Sequence, residues 1–258
     1  MSAVYLRHSA KDLRRLFDVL KDIVTDVNLQ FKKETVVITA MDPAKVSILH
    51  VVLELDSLDF YDCKQETTIG VFMPFLYKTI RSASPKDTVE LLIYDYNKTA
   101  MDIKLSNVET ETTHITTVVS LDLPKESVEI PINYCSNVIS IQASDLQKAV
   151  REVSHISKEV VIHFDTKTIV NVLVFKANGP MGKCDIVIKN PKIVYNQTPE
   201  LDIKVYTKYI EKFCKPLLST QIDMCIYAED APLVLTSRFS MGIMNLFIAP
   251  IMEPKLAN

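Results

Sequence analysis

The chain has 258 residues, 48% of them hydrophobic, and its 29 Lys and Arg against 32 Asp and Glu give a formal net charge of −3. That balance excludes nucleic-acid binding through overall charge, so any such role needs a local concentration of cations. No run approaches the roughly 18 apolar residues of a membrane span, and charge interrupts the start MSAVYLRHSAKDLRR before an apolar signal stretch forms, so a soluble intracellular protein with no membrane partner is expected.

In chain order, the spacing of Leu13, Leu16, Phe17, Leu20, Ile23 and Val24 predicts an amphipathic helix over 11–24. Strands rich in Val, Ile, Thr and Tyr follow at 34–41 and 45–55, then a second helix over 72–83, then strands at 87–96 and 114–121. The stretch 121–135 holds Pro124 and Pro131 with little periodicity and is read as a semi-rigid surface linker. Beyond it, Leu146, Ala149, Val150, Val153 and Ile156 predict a helix over 144–159. Strands at 160–164, 183–190 and 201–206, a fourth helix over 206–216 and a strand at 221–228 complete the series.

The opening segment DLRRLFDVLKDIVTDVNLQF at Asp12 returns as DLQKAVREVSHISKEVVIHF at Asp145, an offset of 133 residues (145 − 12). An offset of half the chain is a duplicated domain, since solenoid units run to roughly 20–50 residues. The expected fold is therefore α+β: two similar β-rich domains, 1–120 and 136–258, joined by the loop 121–135, each with two helices packed on antiparallel sheet.

Within the four helical spans the sequence has 12 Lys and Arg against 7 Asp and Glu, a surplus of 5, while the remainder carries −8. Arg14, Arg15, Lys21, Lys78, Arg81, Lys148, Arg151, Lys208, Lys212 and Lys215 all fall off the apolar faces of their helices. Four basic helix faces on an acidic chain suit contact with phosphate, where cations position a duplex without reading its sequence.

Catalytic signatures are missing. There is no Gly-rich phosphate loop and no G-x-S-x-G elbow; His8, His50, His114, His155 and His163 lack ligand-spaced partners; carboxylates such as Asp56 and Asp59 lie in a turn. Five cysteines without CxxC spacing suggest reduced, mostly buried thiols and neither a disulfide framework nor a zinc site. A non-enzymatic binding scaffold without metal or cofactor is expected. A metal-dependent nuclease, which needs clustered carboxylates, is the competing class.

Seven segments, taken in order, resemble proliferating cell nuclear antigen (PCNA), the DNA sliding-clamp family: LKDIVTDVNLQF (20–31), AMDPAKVSI (40–48), FYDC (60–63), YKTIRSAS (77–84), LQKAVREVSHISKEVVI (146–162), EDAPLVL (229–235) and LFIAPIMEP (246–254). The resemblance implies a homotrimeric ring threaded by double-stranded DNA. Its hole would be lined by helices bearing Lys21, Lys78, Arg81, Lys148, Arg151 and Lys215, with Arg14 and Arg15 nearby. The strands 114–121 and 183–190 are implied as the edges that close the ring. Also implied is a processivity factor for DNA replication and repair, served by a clamp loader and binding polymerases through short helical motifs. Their pocket would use Met41, Lys45, Val46, Val128, Ile130, Pro131, Pro232, Phe247, Ala249 and Pro250. Nuclear localisation follows, or a cytoplasmic viral replication compartment if the divergence reflects a large DNA virus.

The chain departs from the family at Lys45, where a histidine is typical, at Glu129 in a longer linker, and in the loop 176–184; Lys167 does not align with the lysine that relatives modify with ubiquitin. A clamp-like factor that grips DNA without encircling it, or one subunit of a heterotrimeric checkpoint-type ring, is the alternative.

Overall fold

The computed structural model describes residues 2–124, 137–167, 170–215, 217–227 and 231–252. It divides into two compact units, Met1–Glu129 with Phe239–Met244, and Ile130–Arg238 with Asn245–Asn258. The first runs β1 (Ser2–Ser9), α1 (Ala10–Ile23), β2 (Asp26–Phe31), β3 (Thr35–Met41), β4 (Ser47–Glu54), β5 (Phe60–Cys63), β6 (Thr67–Phe72), α2 (Met73–Arg81), β7 (Thr88–Tyr94), β8 (Asn97–Asn107) and β9 (Thr112–Val119). The same order recurs as β10 (Asn137–Gln142), α3 (Ala143–Ser154), β11 (Glu159–Asp165), β12 (Val172–Gly179), β13 (Gly182–Lys189), β14 (Lys192–Asn196), β15 (Glu200–Tyr206), α4 (Thr207–Cys214), β16 (Gln221–Ile226), β17 (Leu233–Phe239) and β18 (Gly242–Ile248).

Pairing repeats as faithfully as order. The series β5-β1-β7-β8-β9 has its counterpart in β14-β10-β16-β17-β18, and β4-β3-β2-β6 in β13-β12-β11-β15. Alternation decides which face of each strand is covered: on β3, Val36, Ile38 and Ala40 are buried while Val37 and Thr39 are only partly so, and on β11, Val160, Ile162 and Phe164 point inward. The helices close these cores with Leu13, Leu16, Leu20, Leu76 and Ile80 in the first unit and Leu146, Val150, Val153 and Ile210 in the second, all at most 1% exposed. At roughly 25 cal/mol per Å2 of apolar surface, burying one such side chain contributes about 1.5–3 kcal/mol.

The two-unit α+β architecture is the expected one, with differences in detail. The third helix stops at Ser154 rather than reaching 159, because the chain turns at His155 and Ile156 and β11 pairs with β15 from Glu159 onward. Ile156 thus sits in a turn, its N–H donating to the Val153 carbonyl at 3.0 Å. Of the expected linker, 125–135 lies outside the described residues.

Leu121 pairs antiparallel with Gly70, and its N–H donates to the Gly70 carbonyl at 2.8 Å. The unusual loop 176–184 is a tight hairpin, with Gly179 facing Gly182 in register. A Cβ on Gly179 would lie 2.0 Å from the Ile156 carbonyl oxygen, so only glycine allows that approach. The thiols also differ from expectation: Cys225 is disulfide-bonded, and of the free cysteines Cys63 and Cys184 are only partly buried. Disulfides follow the spatial approach of Cβ atoms, which sequence spacing does not report.

Candidate nucleic-acid interface

Each helix is hung from its N-terminus by a backbone bond, and the bonds match between units. Ala10 N–H donates to the Asp87 carbonyl at 3.0 Å and Ala143 N–H to the Thr220 carbonyl at 2.9 Å. Likewise Met73 N–H reaches the Thr25 carbonyl at 2.8 Å and Thr207 N–H the Lys158 carbonyl at 3.0 Å. These satisfy helix-end donors that no side-chain cap serves. In the first unit α1 packs on α2, and in the second α3 packs on α4. There Gln147 Nε2 donates to the carbonyls of Cys214 and Lys215, both at 3.1 Å, tying α3 to the end of α4.

With their buried faces against sheet, the helices turn their basic residues outward. Lys78, Arg81, Lys148, Arg151, Lys208 and Lys215 are exposed, and Arg14, Arg15 and Lys212 are half-buried. Helix α1 maps onto α3 at the offset of 133, and α2 onto α4 at 134 (207 − 73). Three cation pairs then coincide: Arg15 with Lys148, Lys78 with Lys212, and Arg81 with Lys215. The other four positions do not repeat, since Arg14 faces Gln147, Lys21 faces Ser154, Asp18 faces Arg151 and Pro74 faces Lys208.

Lys21 is held by acidic residues of its own helix. Its ammonium lies 3.0 Å from Asp18 and 2.8 Å from Asp22, and 4.7 Å from the Tyr77 ring centre. Burial works against its charge, but the hydrogen bonds to Asp22 and Asp18 outweigh it and hold the pKa above the ordinary lysine value. Its charge is neutralised within the unit. Lys208 leans on the Tyr209 ring at 4.6 Å. Lys11, which is not among the ten, is exposed and lines a depression of about 230 Å3 with Arg14, Arg15 and Tyr77. Its place on the solvent side of α1, one position before Asp12, was the available signal.

The residues expected to bind partner peptides come from both units. In the first unit, Met41 ends β3, and Lys45 and Val46 follow on a loop folded round the buried Asp42. The Asp42 carboxylate accepts from the N–H groups of Ala44 at 3.1 Å, Val46 at 2.7 Å and Ser47 at 2.6 Å. Lys45 takes φ 57°, a left-handed conformation that this cradle imposes.

Beside the loop, a groove of about 340 Å3 along β2 and β3 is lined by Asp26, Asn28, Gln30, Thr39 and Met41 together with Leu123 and Pro124. Asn28 Nδ2 donates to the Pro124 carbonyl at 3.1 Å. Sequence reasoning did not single out these polar residues, although alternation along β2 places them on one face. In the second unit Phe247 is 6% exposed, Pro232 and Pro250 are half-buried and Ala249 is exposed. Val128, Ile130 and Pro131 lie outside the described residues.

Strands β9 and β13, overlapping the two expected edges, each end their sheet. Both carry apolar side chains in water: Ile115 is 59% exposed, Val119 71% and Val187 50%. Among the described residues no group of three or more His, Cys, Asp or Glu is placed to hold a metal ion, and no described helix is long and apolar enough to cross a membrane.

Comparison with known proteins agrees with this geometry. Residues 5–127 match the family "Proliferating cell nuclear antigen, N-terminal domain" and residues 129–251 "Proliferating cell nuclear antigen, C-terminal domain". The chain is 26% identical over 250 residues to "Probable DNA polymerase sliding clamp 1" of Paramecium bursaria Chlorella virus 1, covering 93% of this chain and 94% of the relative. It is 24% identical over 248 residues to proliferating cell nuclear antigen of Saccharomyces cerevisiae, covering 92% and 93%. The crystal structure of proliferating cellular nuclear antigen from Entamoeba histolytica shares the fold, with a TM-score of 0.88 at 20% identity, covering 98% of this chain and 100% of that one. With both halves matched in order and the pairing pattern duplicated between them, this chain belongs to the proliferating cell nuclear antigen family.

Proposed function

We propose that the protein is a DNA sliding clamp: three copies close head to tail through β9 and β13 into a ring that encircles duplex DNA and holds a polymerase to its template. The observation that carries this reading is the coincidence of Arg15 with Lys148, Lys78 with Lys212 and Arg81 with Lys215 in two halves whose other basic helix positions do not repeat. A duplicated domain that presents the same cations twice suits a ligand whose charge repeats along an axis, and duplex DNA carries one charge per about 1.7 Å of its length. Encirclement supplies retention by topology, so the phosphate contacts stay weak, water-bridged and free of base readout, and the clamp slides. Arg14, Arg151 and Lys208 add to the basic surface; Lys21 is structural.

The protein performs no chemistry on DNA and needs no cofactor or metal. Polymerases, a clamp loader and other replication and repair proteins are its partners. Recruitment through short helical segments is tested by substitutions on the loop 41–47 in the first unit and at 247–250 in the second. The compartment is the nucleus or a viral replication compartment.

The test is threading onto linear duplex. A closed ring passes over a free DNA end and is excluded when that end carries a bulky block. Association with open-ended and not with blocked duplex is expected. Replacing Lys78, Arg81, Lys212 and Lys215 with Ala should weaken association, with the salt slope shallower by about 0.9 for each phosphate that is no longer neutralised. Equal association with both duplexes would sink encirclement and leave a factor that grips by charge.

A further inference from the structure

We propose that the start of α2 is a stacking platform for unpaired DNA bases, with Phe75 as its main surface and Phe72 as its second. It rests on the clamp reading and extends it to a second state of the same ligand. Phe72 is 45% exposed and Phe75 44%. They stand three residues apart, Phe72 at the cap of a helix whose buried face is Met73, Leu76 and Ile80. Helical spacing puts Phe75 on the opposite pole, beside the exposed Lys78. With Arg81 in the last turn, α2 carries two cations and no carboxylate.

Scattered single apolar residues on a surface need no explanation. Two exposed phenylalanines at the start of one short helix whose last turn carries two cations are a different matter. Aromatic faces interleaved with Lys and Arg are the recurring arrangement for single strands, because every base has a π-face and every nucleotide a phosphate.

The second unit provides the contrast. At the offset of 134, Phe72 corresponds to Tyr206 and Phe75 to Tyr209. Tyr209 is 1% exposed, and Lys208 approaches the rings of Tyr209 at 4.6 Å and Tyr206 at 6.0 Å. There the aromatic pair serves the unit's own core and lysine, whereas Phe72 and Phe75 leave a large part of their rings to water. Phe72 stands opposite Asp26 in the β2–β6 register, and that carboxylate disfavours a phosphate close by, so Phe75 carries the larger share. A paired base has both faces covered within the duplex. The ligand is therefore DNA with unpaired bases, as at a frayed primer end.

The experiment titrates the full-length protein with a fluorescent single-stranded oligothymidylate and, separately, with a hairpin duplex. Stacking is worth about 1–3 kcal/mol per base, roughly five- to a hundredfold in affinity. Phe75→Ser is expected to lose oligothymidylate affinity within that range and to keep duplex affinity; Phe75→Tyr should retain both, and Phe75→Leu should behave as the serine variant. The loss should persist as salt is raised, unlike that of Lys78→Ala. Photocross-linking from 5-iododeoxyuridine should map to Phe75 and Phe72.

If Phe75→Ser changes neither affinity, lowers both equally, or is matched by a fully active Phe75→Leu, the platform is overturned. Should Lys78→Ala and Arg81→Ala leave duplex binding intact while the Phe75→Ser loss persists, the platform stands and the clamp reading of these cations falls.

Discussion

His50 shows how a single side chain records its surroundings. On β4 it faces Thr39 across the strand pair, with Thr39 Oγ1 and His50 Nδ1 2.9 Å apart. Burial, assisted by the charge of Lys32, lowers its pKa below the ordinary 6.5. The folded state thus binds the proton less readily than the unfolded chain. The stability linked to His50 is fully present above pH 6.5 and is lost as pH falls through the lowered folded value. Denaturant melts taken from neutral into mildly acidic pH should show a shallower decline for His50→Gln than for the parent. Identical declines would mean that other groups carry the acid sensitivity. The strand alternation placed His50 on the partly covered face, but the position of Lys32, from a different strand end, was not readable along the chain.

At the scale of elements, the close approach of chain to chain at Gly70 decides how the segment leaving β9 is held. A Cβ there would stand 2.3 Å from the Leu121 carbonyl oxygen and 3.1 Å from Leu123 Cγ. Gly70→Ala must lift this segment, breaking the 2.8 Å bond from Leu121 N–H and loosening the hydrogen bond from Asn28 to Pro124. A destabilisation of roughly 1–3 kcal/mol is expected in denaturant melts, with faster hydrogen exchange at the Leu121 amide. Gly182→Ala is the control, since nothing stands within 4 Å of its Cβ position, and it should be neutral or slightly stabilising. A Gly70→Ala protein as stable as the control would disprove the clamping of this segment.

Elements also mark the limit of local reading. Strands with Val, Ile and Thr in alternation, such as β3, β4 and β11, are legible. Strand β8, NKTAMDIKLSN, is not, because Asn, Lys and Asp dilute its pattern and its extended form is held by β7 and β9 on either side.

For the whole molecule, the open edges β9 and β13 are the main liability. Each presents unpaired backbone N–H and C=O groups beside exposed Ile115, Val119 and Val187, a template for uncontrolled pairing unless covered. Unlike edges pairing between copies form a heterologous interface, which stays soluble only if it closes. Light scattering at micromolar concentration should therefore give three times the 29.2 kDa subunit mass, 87.6 kDa. Charged substitutions at Ile115 and Val187 should return the protein to monomer. A parent monomer would transfer ring closure to partners of different sequence and favour the heteromeric alternative.

By itself the sequence determined the duplication, the four amphipathic helices and the surplus of cations on them, because periodicity and composition are local properties written along the chain. Only the tertiary structure fixed the offset of 134 that pairs Lys78 with Lys212 and Arg81 with Lys215, and showed Lys21 neutralised by Asp18 and Asp22. It alone separated the buried Tyr209 from the exposed Phe75, which occupy equivalent positions. It also revealed the disulfide at Cys225. Charge pairing, burial and disulfide formation depend on which residues meet across long separations, and a one-dimensional pattern carries no distance between them.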